Sequence, residues 1–287
     1  MFSPNCVIVL PASEISIKSD AVRRFMIKRL KKNMISYFDY FGVHYSGIEY
    51  FSSRLVVYSR EPEKVISALD FCFGINLMFL AEKKPFSSLV DLCNNGVLVC
   101  DGLVTEGTFA VRGKSFCEYF SSKKLEEELG SALLRAYPEL KVSLKSPNKE
   151  VFCLVNKDRA FFYFKSISGA KGMPVGSQRN AAILVPRDSK KNYCRIETLA
   201  LNLMKSGCTI CFVSEKKLGV GSLDFPNIEK FNLFKKINVF SIETALALYK
   251  QGRIAAFFSV ARSVKGAEDD SRVLGLKVFA PLLFELA

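Results

Sequence analysis

Few residues in this chain are equipped for covalent chemistry. His44 is the only histidine among 287 residues. A nucleophilic serine or cysteine needs an adjacent base that a third group orients, and one histidine without an evident partner supports no such set. The nine cysteines are an odd number, scattered mostly through apolar segments. They read as reduced, buried thiols of a cytosolic protein rather than a disulfide framework. Cys208 and Cys211 form a C-x-x-C within "GCTICFVS", a stretch that reads as a buried strand, where residues three apart face opposite sides. No second pair exists, so no metal site is expected. Two stretches imitate phosphate loops. "VRGKS" (111–115) ends as G-x-x-x-x-G-K-[ST] does, but Thr108 stands where the first glycine belongs, so a P-loop is rejected. "LGVGS" (218–222) opens no helical pattern and reads as a loop.

Charge is the stronger signal. There are 41 Lys and Arg against 28 Asp and Glu, a net +13 with pI near 9.3. Such a balance points to an acidic partner, nucleic acid above all. Arg23, Arg24, Lys28, Lys31 and Lys32 crowd one segment with almost no acid beside them, as a phosphate-facing helix would. With 49% apolar residues the chain can bury a sizeable core and has the length of about two domains. The most apolar run, "ALDFCFGINLMFLAE", is broken by Asp70 and Asn76, so no membrane span is expected. The start, "MFSPNCVIVLPASEIS", lacks a basic region before its apolar run, so no signal peptide is expected and a cytoplasmic place follows.

The elements that must position these charges can be read from periodicity. "NCVIVL" is a strand. Ser19 or Asp20 opens a helix that Gly42 stops, with a stripe of Val22, Phe25, Met26, Leu30, Met34, Tyr37, Phe38 and Phe41. Two short strands (48–51 and 54–58), a helix (62–71) and the strand "INLMFLAEK" complete a split βαβ, the ferredoxin-like order. "GTFAVRGKS" is a strand, and "SSKKLEEELGSALLRAYP" a helix with Leu125, Leu129, Leu133 and Leu134 on one side. A hairpin turns near 156–158. The connector "GAKGMPVGSQ" (169–178) reads as a boundary or hinge. Beyond it, "AAILVP", "CTICFVS", "IAAFFSVA" and "LKVFAPLLF" read as strands alternating with helices at 192–207 and 241–252. That pattern predicts a small parallel sheet covered on both faces.

Four stretches in order, "EISIKSDAVRRFMIKRL", "FAVRGKSF" with "FSSKKLEEELGSALL", "LKVSLKSPNKEVFCLV" and "GMPVGSQ", resemble the tRNA 4-thiouridine sulfurtransferase family. The resemblance implies a ferredoxin-like domain (1–82), a THUMP RNA-binding domain (83–168), a linker (169–180) and a Rossmann-like α/β domain of PP-loop type (181–287). It implies tRNA as partner, with THUMP recognising the acceptor 3′ end and uridine 8 as the site of sulfur insertion. Arg112 and Lys114 fall where the family has basic residues, and "SLKSPN" supplies Lys145 and the turn at Pro147-Asn148. The family's S-G-G-x-D-S loop, which cradles ATP, corresponds to "LVPRDS". Asp188 and Ser189 match its end, but Val185 and Pro186 replace the glycines, and proline has no N–H to give. None of the nine cysteines maps onto the family's sulfur-bearing cysteine. The resulting expectation is a tRNA-binding protein of thiouridine-synthase type that has lost its ATP site. Its chemistry would lie in a separate PP-loop or sulfur-carrier protein, and a homodimer is compatible. The alternative is an active, ATP-using sulfurtransferase with a divergent loop, drawing on Cys194, Cys208 or Cys211.

Overall fold

The computed structural model describes residues 2–186, 192–214, 225–261 and 264–281. In chain order the elements are β1 (Cys6–Pro11), α1 (Ser13–Ser16), α2 (Asp20–Phe41), β2 (Gly47–Phe51), β3 (Arg54–Tyr58), α3 (Pro62–Leu69), β4 (Ile75–Pro85), α4 (Leu89–Cys100), β5 (Gly107–Ser115), α5 (Ser122–Ala136), β6 (Leu140–Val142), β7 (Lys149–Asn156), β8 (Arg159–Tyr163) and β9 (Ile167–Ser168). They continue with β10 (Ala181–Leu184), α6 (Tyr193–Lys205), β11 (Ile210–Ser214), α7 (Pro226–Phe231), β12 (Val239–Ser241), α8 (Ile242–Lys250), β13 (Ala256–Phe258), α9 (Val264–Leu274) and β14 (Val278–Phe279). The α+β first half and the parallel α/β second half are those the sequence predicts. The sequence reading overlooked α7 and α9; "LGVGS" lies outside the described residues. Among the described residues no helix is long and apolar enough to cross a membrane.

The chain divides into two compact units that are not consecutive in sequence. The first takes residues up to 10, 43–67 and 77–168. Its sheet runs β2-β3-β1-β4-β8-β7-β5-β6, with β9 on β4, so the ferredoxin-like order continues without a break into the strands that follow. Alternation gives each strand two faces. On one, Val151, Cys153, Val155, Ala160 and Phe162 pack with Leu92 of α4 and with Leu125, Leu129 and Leu133 of α5. Leu134, expected on that side, is 37% exposed. Cys6, Ile8, Val56, Phe79, Leu154, Phe161 and Tyr163 form a separate cluster on the other face.

Every buried member of that second cluster lies on a strand, and the sheet curls across it. β2 and β8 are four strand spacings apart, roughly 19 Å on a flat sheet. Yet the rings of Phe51 and Phe161 stand 5.7 Å apart, and Arg159 grips Glu49 through both guanidinium Nη atoms, at 2.9 and 3.0 Å. Tyr58 donates its hydroxyl to the same carboxylate at 2.7 Å. The hydrogen bond from Arg159 holds the Glu49 carboxyl below the usual range; partial burial opposes it and Tyr58 assists.

The second unit takes residues 11–42, 68–76 and those from 169 onward. Its sheet is parallel throughout, in the order β12-β11-β10-β13-β14. Helix α2 belongs to it, burying Met26, Ile27, Leu30, Met34, Tyr37 and Phe38. Val22, Phe25 and Phe41 of the expected stripe are 41–48% exposed, at the ends of the helix. The connector is tied along its length. Gly169 and Lys171 donate to the Asn76 and Ile75 carbonyls, Met173 to Lys205, and Gly176 and Gln178 to Gly207. The buried Asn33 of α2 donates to Val175 O at 3.1 Å. Gly172 has φ +70°, and a Cβ there would collide with the Lys205 carbonyl.

Two outcomes follow. Glu49→Gln should lower the thermal midpoint by about 2–4 °C at pH 7, since both ends of the pair are partly exposed and it contributes about 1 kcal/mol. A carboxyl whose folded-state pKa is depressed stabilises above its ordinary value near 4.3 and loses that contribution as pH falls through the folded value. The gap between variant and parent in a pH series of melts should therefore close below roughly pH 4. Gly172→Ala should cost about 2–4 kcal/mol in urea unfolding, from the left-handed backbone and the collision together.

Candidate nucleic-acid interface and switch-point crevice

Strand β5 explains why "VRGKS" resembles a phosphate loop without being one. It stays a strand to Ser115, paired with β7 so that Arg112 faces Phe152 and Lys114 faces Leu154. Arg112 and Lys114 therefore share the face of Leu154, Phe161 and Tyr163, while Phe109 and Val111 point under α4 and α5. Gly113, on the helix side, lets α5 approach: its N–H donates to Glu126 Oε1 at 2.9 Å, and a Cβ would meet Glu126 Cγ at 2.9 Å.

On the curled face lies a groove of about 680 Å³. Its floor is aromatic, with the half-buried Phe152 beside the buried Phe79 and Tyr163; Phe152 and Tyr163 stack at 5.1 Å, 7° apart. Its rim carries Arg54, Arg112, Lys114 and Lys165 against one carboxylate, Glu150. That carboxylate is taken by Arg112 at 2.8 Å. A cationic rim of this kind neutralises phosphate, and the half-buried Phe152 is the floor ring placed to meet a base.

The expected site residues separate into roles. Lys114 is exposed, its ammonium 5.9 Å from the Phe116 ring. Lys145 is exposed on the loop before β7. Arg112 is committed: besides Glu150 it donates to Leu144 O at 2.9 Å, which fixes the loop carrying Lys145. Asn148 closes the same loop, its side-chain oxygen accepting from the Thr108 hydroxyl and its backbone N–H donating to Thr108 O at 3.0 Å. Arg24, Lys28 and Lys32 are exposed on α2, Lys31 is half-buried, and Arg23 pairs with Asp20. These five belong to the second unit, the groove to the first. The sequence reading missed Arg54, Lys165 and the aromatic floor. It also missed Arg29, whose guanidinium carbon lies 3.4 Å from where a Cβ on Gly176 would sit.

In the second unit the strand order reverses at β10, with β11 on one side and β13 on the other. Ligands of open α/β sheets bind outside the carboxyl ends of strands at such a point. A crevice of about 350 Å³ lies there, walled by Leu184, Val185, Val213, Val260 and Val273, with Ser259 and Asp270 as polar groups. Among its described lining residues there is no lysine or arginine. The buried Ser259 donates to Asp270 and accepts from Ala261 N at 2.9 Å. Val185 N–H is already spent on Val213 O at 2.8 Å, and Pro186 has none. Asp188 and Ser189 lie outside the described residues. Burial pushes the Cys211 thiol up to about 12 and raises that of the half-buried Cys208, whereas Cys194 is exposed on the first turn of α6.

Comparison with known proteins places these features. The THUMP domain family model matches residues 101–165, the segment that supplies β5, the Lys145 loop and β8. A probable tRNA sulfurtransferase of Methanosarcina acetivorans is 29% identical over 190 residues, 63% of this chain and 45% of that protein. The chain therefore carries a THUMP-family segment and is similar in sequence to tRNA sulfurtransferases. A tRNA sulfurtransferase of Blochmanniella pennsylvanica is 26% identical, over 66% of this chain and 42% of its own length; the chain thus spans about half the length of the curated relatives it matches. Among solved structures, a Pyrococcus horikoshii protein matches with TM-score 0.76 at 19% identity, covering 98% of this chain and 95% of that one. A 4-thiouridine synthetase, solved as an RNA complex with bound ATP, matches with TM-score 0.71 at 15% identity, over 97% and 81%. These likenesses share the fold.

The two arginine and lysine roles on β5 separate in experiment. Lys114→Ala should leave the melting midpoint within about 1 °C while lowering the slope of log affinity for RNA against log salt by roughly 0.7–0.9. Arg112→Ala should also lower the midpoint and speed hydrogen exchange across 143–148.

Proposed function

We propose that this chain binds tRNA and serves its sulfur modification, with the groove of the first unit as the RNA-holding surface. The observation that carries this is the basic rim of Arg54, Lys114 and Lys165 over the stacked rings of Phe152 and Tyr163, all but Arg54 within the segment that matches the THUMP family. Lysine and arginine on strand ends neutralise phosphates without reading sequence, and aromatic faces take unpaired bases. The acceptor 3′ end is the natural occupant, uridine 8 the target, and the cytoplasm the place of action. Trimming the terminal CCA should weaken binding in a filter assay more than altering the anticodon loop does. Equal affinity for intact and trimmed tRNA would contradict this mode.

The same reading holds that the chain alone does not adenylate tRNA. A nucleotide loop stabilises charge on the departing pyrophosphate through backbone donors, and one lost donor costs about 3–4 kcal/mol, a factor of 10² to 10³ in rate. Here the N–H of Val185 is spent within the sheet and Pro186 has none. Residues present do not fit the phosphate cradle of the family at these two positions. A partner chain carrying the PP-loop or the sulfur would complete the reaction, and a homodimer is compatible. A second reading keeps the chemistry here. The switch-point crevice favours it, with Cys194 as the exposed thiol. Incubation with ATP, a sulfur donor and unmodified tRNA separates the two: neither AMP release nor 4-thiouridine absorbance should appear without a partner.

A further inference from the structure

The second unit carries an aromatic surface that the groove does not account for. Tyr40, near the end of α2, is 57% exposed and Phe41 43%. The Tyr40 ring lies flat on Phe234, centroids 3.9 Å apart and planes within 5°. Phe234 also meets Phe41 edge-on at 5.0 Å, Tyr37 at 6.0 Å and Phe71 at 6.2 Å. The loop that delivers it is strained, with Leu233 at φ +57° and Phe234 at φ +55°. Bulky residues pay about 1–2 kcal/mol each for that backbone, and such strain clusters where a surface is used. The buried Tyr37 holds the loop's base, donating to the carbonyls of Phe71 and Lys230 at 2.9 and 3.0 Å.

These contacts explain why Phe234 is held; they do not require an exposed Tyr40 lying parallel to it. The charge around the stack is basic. Lys230 stands 5.7 Å over Phe71, the exposed Lys235 and Lys236 follow Phe234 directly, and the exposed Lys28 and Lys32 lead up α2 toward Tyr40. Lys32 precedes Tyr40 by roughly 12 Å of helix. Close to the stack three acids, Asp39, Asp70 and Glu229, stand against Lys230, Lys235 and Lys236, so the basic excess comes from Lys28 and Lys32 further up α2. An exposed ring, with Lys235 and Lys236 next to its stacking partner in sequence and a basic helix leading to it, suits a base with its phosphate attached.

We infer that the Tyr40–Phe234 stack is a platform for an unpaired RNA base, distinct from the groove of the first unit. The inference rests on RNA as the partner, and the experiment keeps the two apart. The chain contains no tryptophan, so Tyr40→Trp in the full chain introduces a single tryptophan at the platform, which can be excited selectively over the tyrosines. Its emission should be quenched by unmodified tRNA transcript and unchanged by a blunt RNA duplex of equal length. Tyr40→Leu, which keeps apolar contact with Phe234 but offers no ring, should weaken tRNA binding roughly five- to hundredfold. tRNA retained on a filter with unchanged Trp emission and undiminished Tyr40→Leu affinity would overturn the platform alone. Absence of tRNA binding by the parent protein would remove the RNA reading with it. An emission shift that follows protein concentration without RNA, with a doubled mass in light scattering, would overturn the platform in favour of a second copy.

Discussion

The grip of Arg159 on Glu49 is the contact on which the first unit turns. It joins strands that a flat sheet would hold roughly 19 Å apart, and it does so at 2.9 Å. Helices α4 and α5 cover one face of the β5-β7-β8 part of a nine-stranded sheet, and the apolar side chains of the other face must be buried as well. Here that face is folded inward, so that Cys6, Ile8, Val56, Phe161 and Tyr163 bury one another. The ion pair and the Phe51–Phe161 contact fasten the curl. The groove is what the curl leaves open toward β5, and its rim is basic because the alternation of one strand sends Arg112 and Lys114 to that side.

Within the groove, residues that look alike divide the work. Arg112 spends its guanidinium on Glu150 and the Leu144 carbonyl, so on the proposed reading it would act on RNA through the loop it holds. Lys114 and Lys165 are exposed, and on the proposed reading they would meet phosphate directly. The second unit follows a different logic. Its connector is fixed by backbone hydrogen bonds on both sides and by Asn33 from α2. The glycines of "GAKGMPVGSQ" serve close approach as much as turning, as the collision awaiting a Cβ at Gly172 illustrates.

Local pattern made much of this legible. The boundaries of β5 follow from its sequence, and alternation along it puts Arg112 and Lys114 on one face. The split βαβ order and the parallel second half follow from apolar periodicity. Arg54 and Lys165 did not emerge because they lie far from β5 in sequence and only the curl brings all three to one groove. α9 went unread although its few apolar residues are spaced as on one side of a helix, and it supplies Asp270 to the crevice. Phe25 and Val22 fitted the helical stripe by spacing, yet the first turns of α2 leave them in solvent. Periodicity gives a direction, and what lies in that direction is decided by the rest of the fold.

The central claim is that RNA lies in the groove of the curled sheet. Hydrogen exchange on the full chain, with and without unmodified tRNA, tests it most directly. The account predicts slowed exchange on tRNA addition at residues 52–54, 112–116 and 163–166, with little change on the α4 and α5 face. Protection confined to that helical face, or to the crevice beyond β10 and β13, would contradict it.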